Sequence, residues 1–157
     1  MRKGILSMKH TEYKPIYRIK LVRDKYITID SRPKLEPNET AQICRKYFKD
    51  LDREHLLLLM LDAQNKVIGM HIVSTGTINQ SGFYIREIIK ACLLCNCTAC
   101  IIAHNHPSAR IEPSEEDLRC TQKLKSTLKI MGITLHDSLI VGDKKIYGII
   151  TSGKWEI

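Results

Sequence analysis

The sequence predicts a layered α/β domain built on a mixed sheet, and three observations carry that expectation. Two runs of strand length, "HLLLLMLD" and "TACIIA", are almost uniformly apolar, as strands buried on both faces of a sheet are. Segments of helical period lie between and after them. A further apolar segment, "VIGMHIVSTG", is joined to the first run by the polar tetrad "AQNK", which marks a hairpin and hence an antiparallel pair in the sheet. With 157 residues the chain is most simply one folded domain, long enough to bury a core without disulfides or a structural metal.

Residues 1–36 read as a basic arm and residues 37–157 as the domain proper. Within the arm, "YRIKLVRDKYITI" alternates Tyr17, Ile19 and Leu21 with Arg18, Lys20 and Val22, the pattern of one half-exposed strand, and "SRPKLEPNE" follows as a polar linker. Asn38 is placed to cap a helix over "ETAQICRKYFKDL". After the hairpin, "YIREIIKACLLCN" reads as a second helix and "TACIIA" as a strand ending at His104. Beyond the loop "HNHPSARIEP", Ser114 opens a long helix with Leu118, Leu124 and Leu128 on one stripe and Gly132 at its end. "ITLHDSLIV", the turn "GDKK" and "YGIITS" complete the sheet.

The charge is unevenly spread. Met1 to Lys49 hold thirteen Lys and Arg against five Asp and Glu, whereas the rest of the chain holds twelve of each, so the net +8 resides in the first third. Such an arm suits DNA or an acidic protein partner, or simply a solvated terminus. No apolar run reaches the roughly 20 residues of a spanning helix, and the start has no apolar signal core, so no membrane is expected and the location read is cytoplasmic. The six cysteines lack the spacings of a secreted framework and read as reduced thiols.

Two clusters compete as a metal site. His104 and His106, at i and i+2, project to one side at the C-terminal end of a buried strand, where open α/β sheets bind ligands, and Pro107 stiffens the exit. Asp117, in the first turn of the next helix, can complete a set of two imidazoles and a carboxylate that leaves one tetrahedral position open, as catalytic zinc requires. Equally, Ser114 and Asp117 form an N-cap and its N3 acid. The rival is Cys92-x2-Cys95-x-Cys97-x2-Cys100, whose spacing has an air of zinc or iron–sulfur ligation, but whose members fall on a helix, a turn and a buried strand, as packing residues would.

The segment "AHNHPSARIEPSEEDLRCTQKL" is similar to the signature of the JAB/MPN metalloproteins, the JAMM motif: H-x-H, seven residues, S-x-x-D, with a glutamate upstream. His104, His106, Ser114 and Asp117 match every position, and "LDAQNKVIG", "GTI", "REIIKACLLCN" and "GITLHDSLIVGD" resemble the RadC-like branch, also labelled DNA repair proteins. The resemblance covers roughly residues 37–157, and more loosely the basic arm, and implies a cytidine-deaminase-like α/β sandwich with helices on both faces of a mixed sheet. It further implies one zinc ion per chain on His104, His106 and Asp117, Glu54 as general base, and Ser114 as donor to an oxyanion or to the water. Glu87, beside Arg86, is the other acid available for the base. The activity implied is hydrolysis of an amide, peptide or isopeptide bond in a peptide or protein substrate. A non-catalytic DNA- or protein-binding module of the same fold, acting in DNA repair or mobile-element biology, is the alternative.

Two departures stand out. Ala109 replaces the glycine of the usual "HPSG", and no helix-hairpin-helix is seen in the first fifty residues. Two other motifs fall away: zinc deaminases require H-x-E and P-C-x-x-C, and the adjacent letters "HNH" are not the dispersed residues of an HNH nuclease.

Overall fold

The computed structural model describes residues 15, 18, 21–26, 37–49, 51–76, 85–106, 108 and 110–156. These form three helices and six strands in the order α1 (Pro37–Phe48), β1 (His55–Leu61), β2 (Val67–Thr75), α2 (Ile85–Leu94), β3 (Ala99–Asn105), α3 (Glu115–Ile130), β4 (Thr134–Val141), β5 (Lys145–Gly148) and β6 (Lys154–Glu156). The sheet runs β2-β1-β3-β4-β5-β6, with β3 and β4 parallel and every other neighbouring pair antiparallel. This is the mixed α/β sheet expected from the apolar runs.

The two runs without polar alternation, β1 and β3, lie side by side near the middle, which is why they need apolar residues on both faces. On one face Leu56, Leu58, Met60, Cys100 and Ile102 pack under Ile88 and Cys92 of α2 and Cys120, Leu124 and Leu128 of α3. On the other, Leu57, Leu59, Leu61, Ile101 and Ala103 pack under Ala41, Cys44 and Phe48 of α1. Each fully buried leucine contributes roughly 1.5–3 kcal/mol of transfer free energy.

Both helices of the first face end in the same way. Asn96 (φ 52°) follows α2 and Gly132 (φ 72°) follows α3 in the left-handed region. Cys97 N–H then donates to the Cys92 carbonyl and Asn96 N–H to that of Leu93, while Ile133 donates to Leu128 and Gly132 to Lys129. These are the paired bonds of a Schellman ending, which brings the residue after the left-handed one against the residue five before it. Cys97 against Cys92, and Ile133 against Leu128, are those apolar pairs, all four in the core.

Several sequence expectations are corrected. Helix α1 begins at Pro37, so Asn38 lies inside the helix rather than capping it; a fixed φ suits proline to the first helical position. Leu118 is 47% exposed, and the buried stripe of α3 is Cys120, Thr121, Leu124 and Leu128. At 3.6 residues per turn Leu118 sits about 120° from Leu124, outside that stripe. "YGIITS" is not one strand: β5 stops at Gly148 because the Asp137 carboxylate accepts from Ile150 N–H (2.9 Å) and the Thr151 hydroxyl (2.6 Å), which draws the chain out of the ladder before β6 resumes it. Residues 21–26 of the arm form no strand and expose Leu21, Val22 and Tyr26, and Arg18 is likewise exposed and outside any strand; the other residues of the expected strand, the linker to Glu36, Pro107 and Ala109 lie outside the described residues. Among the described residues no helix is long and apolar enough to cross a membrane.

Candidate metal centre

Strand β3 delivers His104 and His106 to one end of the sheet. Leu56 is paired with His104, and the antiparallel register places both on the face covered by α2 and α3. His104 is buried, with 1% of its side chain exposed, while His106 is half-buried and its N–H donates to the Val141 carbonyl at the edge of the parallel pair. Their Nε2 atoms face each other at 3.0 Å, with ring centroids 4.8 Å apart.

The tautomer of His106 follows from its other nitrogen. Nδ1 lies 2.9 Å from the Arg110 carbonyl, which can only accept, so Nδ1 carries the proton and a neutral ring offers the Nε2 lone pair toward His104. Burial pushes the His104 pKa well below its ordinary value; Asp117 opposes that shift and His106 adds to it. Burial thus favours at His104 the neutral imidazole that a metal needs.

Asp117 divides its carboxylate between two tasks. Oδ2 accepts from Ser114 N–H (2.9 Å) and from the Ser114 hydroxyl (2.6 Å), and Asp117 N–H returns a bond to Ser114 Oγ (3.1 Å), which is a complete capping box at the start of α3. Oδ1 lies 3.4 Å from His104 Nε2. Capping and ligation therefore do not compete, since each uses its own oxygen, and the cap fixes the direction in which the free oxygen points. One ligand atom from each of His104, His106 and Asp117 falls within 4.8 Å of the others. Two nitrogens and one carboxylate oxygen around one point fit a zinc ion with an open fourth position.

Glu54 immediately precedes β1. It lies two residues before Leu56, whose partner is His104, just outside the paired register, and its carboxylate is not in the group that converges from His104, His106 and Asp117. Its carbonyl accepts from Gly76 N–H at 2.9 Å. Glu87, the other acid, is engaged elsewhere: it pairs with Lys90 in the first turns of α2, and that bond holds its carboxyl below the usual range. Ser114 is exposed, with its hydroxyl proton directed at Asp117.

The cysteines do not converge in this way. Cys92 lies in the last turn of α2, Cys97 is its Schellman partner and Cys100 lies in β3. The Cys92 thiol is pushed up to about 12, chiefly by its hydrogen bond with Cys100, and that of Cys97 is raised by its bond with Cys92 and by burial. Among the described residues no three of these sulfurs gather around one point as the His104 group does. Two groups that matter here were not singled out from the sequence. The Arg110 carbonyl, a backbone atom, has no residue-type signal, whereas Asn105 could have been noticed as the residue of opposite parity between the two histidines.

The family model described as RadC-like JAB domain matches residues 35–154. A UPF0758 protein of Staphylococcus haemolyticus is 35% identical over 121 residues, covering 77% of this chain and 53% of that protein. One of Photobacterium profundum is 39% identical over 117 residues, covering 74% and 52%, and one of Legionella pneumophila is 29% identical over 156 residues, covering 98% and 69%. The chain thus spans about half the length of the first two relatives. The geometry at the end of β3 and the match over most of the domain agree: the chain belongs to the RadC-like JAB domain family.

Proposed function

We propose that this chain is a zinc-dependent hydrolase of the JAMM type that cleaves an amide bond, peptide or isopeptide, in a peptide or protein substrate. The observation that carries the reading is the convergence of His104 Nε2, His106 Nε2 and Asp117 Oδ1 from two different elements, with the second carboxylate oxygen and the second imidazole nitrogen of His106 already committed to orienting bonds. A bound zinc ion supplies a Lewis acid for the carbonyl and an activated water at neutral pH.

The chain's own residues divide the rest of the work. Glu54 is the base that takes a proton from the attacking water and returns it to the departing amine. Ser114 turns its hydroxyl to the developing oxyanion, while its N–H keeps hold of Asp117 Oδ2. The thiols, all free, suit a reducing cytoplasm. The excess charge of the arm favours DNA or an acidic protein as a docking partner, and salt-sensitive DNA binding lost on deleting residues 1–34 is the expected sign of it.

The test combines metal analysis with hydrolysis of peptide and lysine-isopeptide substrates. Wild-type protein is expected to carry about one zinc per chain, and His104→Ala or Asp117→Ala to lose it while remaining folded. Glu54→Gln is expected to keep the metal and to lose at least about 100-fold in rate, the low end for a general base. Equal zinc in wild type and both ligand variants would end the assignment.

A further inference from the structure

We infer that Asn105, the residue between the two histidine ligands, is the positioning residue for Glu54. The inference rests on the role proposed for Glu54 above, but the contact that motivates it does not. Asn105 alternates with His104 and His106, so it faces the α1 side of the sheet, where it is 7% exposed. Its Oδ1 accepts from His55 N–H at 2.7 Å, and its Nδ2 donates to the Arg53 carbonyl at 3.0 Å. Those are the two peptide groups that flank Glu54.

The chemistry explains why asparagine suits the position. The ladder between β1 and β3 ends at Leu56 and His104, while the Asn105 backbone pairs with Val141 of β4. The paired register of β1 with β3 therefore stops one residue short of His55. A carboxamide offers one acceptor and one donor, as a peptide group does, and it supplies the missing rung from the side chain. Gly76 N–H holds the Glu54 carbonyl from the β2 side, so the peptide groups on both sides of the Glu54 Cα are fixed. Gly76 has φ +114°, a conformation in which a side chain would be strained. Three consecutive residues at the end of β3 thus set the ligands with their outer members and the base with their central one, through two hydrogen bonds from a side chain adjacent in the chain to both ligands.

Aspartate keeps the acceptor for His55 but turns an oxygen to the Arg53 carbonyl; leucine keeps the shape and loses both bonds. The test uses the full chain, zinc- or cobalt-loaded, with Asn105→Leu, Asn105→Asp, Glu54→Gln and the Asn105→Leu/Glu54→Gln double variant. Three readouts are taken: hydrogen exchange at the His55 amide, metal content, and the pH midpoint of the cobalt visible band. Asn105→Leu is expected to speed His55 exchange at least tenfold at unchanged metal content. It is also expected to displace the cobalt midpoint in the same direction as Glu54→Gln, with no further displacement in the double variant. Asn105→Asp, the milder change, is expected to keep His55 protected and still displace the midpoint, and it decides the matter if the leucine variant does not fold. A cobalt midpoint unmoved by either Asn105 variant, while Glu54→Gln moves it, overturns the inference. A midpoint unmoved by Glu54→Gln itself overturns the proposed role of Glu54, and the His55 exchange then still reports whether Asn105 holds that segment.

Discussion

Strand β3 has a concentration of metal-ligand side chains at each end, and the two ends use them in opposite ways. At its start Cys100, with Cys97 just before the strand, meets Cys92 beneath the last turn of α2, and the thiols fill the space of small apolar residues in the core. Four residues further along the same face, about 13 Å at 3.3 Å per residue, His104 opens a cluster whose atoms point at one another instead of at the core. The difference lies in what holds the side chains. Each cysteine is positioned by the helix or strand that packs it, whereas His106 and Asp117 are each aimed by a second bond, to the Arg110 carbonyl and to Ser114. Density of ligand-type residues does not make a site; convergence enforced by orienting bonds does.

The largest effect expected from this contrast is a response to zinc confined to one end. For a site that binds only the folded protein, zinc at one hundred times its dissociation constant stabilises by about 2.7 kcal/mol. In a chain of this size that corresponds to a rise in Tm of roughly 5–10 °C. Zinc-free wild type and a Cys97→Ala/Cys100→Ala variant are expected to show the rise, read by thermal denaturation with and without zinc. His104→Ala and Asp117→Ala are expected to show none. A zinc response abolished by the cysteine changes would reverse the assignment of the two ends.

A smaller effect comes from pH. The thiols of Cys92 and Cys44 are raised from about 9 to about 12 in the folded chain, Cys92 first by its bond with Cys100 and Cys44 by burial. Folding therefore favours the protonated thiols. Their contribution is fully present below pH 9 and is lost as pH rises from there toward 12. Tm is expected to fall more steeply between pH 9 and 11 in wild type than in a Cys44→Ala/Cys92→Ala variant, with the zinc-dependent rise at pH 7 unaffected. Parallel curves would show that these cysteines are not buried as described.

Much of this was legible in the sequence, and the parts that were not have physical reasons. "HLLLLMLD" and "TACIIA" carry no polar alternation, so their central places in the sheet followed from composition, and the capping signal at Ser114 fixed the start of α3. The pair His104 and His106 was readable because a strand repeats every two residues and its end is a natural binding edge. Leu118 misled because leucine near the stripe was taken for leucine on it, although the angular count excludes it. The division of the last strand depends on a buried aspartate reaching from β4 to residues 150 and 151, a contact between distant positions that periodicity cannot carry. Capping and ligation by Asp117 were read as rivals because a sequence shows one residue where a structure shows two oxygens.

The smallest expected effect compares the two helix endings near the cysteine end. Gly132→Ala, at φ 72°, is expected to cost about 1 kcal/mol, roughly 2–4 °C in Tm, without altering zinc content. Asn96→Gly, at φ 52°, relieves the same strain and is expected to be neutral or slightly stabilising. A larger loss from Asn96→Gly than from Gly132→Ala would show that Asn96 has a role beyond its backbone angle.

The central claim is that one cation belongs at the C-terminal end of β3. Anomalous diffraction at the zinc absorption edge, on crystals of protein purified without added metal, tests it most directly. The account predicts a single peak about 2.0–2.2 Å from His104 Nε2, His106 Nε2 and Asp117 Oδ1. A peak among Cys92, Cys97 and Cys100, with none at the histidines, would contradict it.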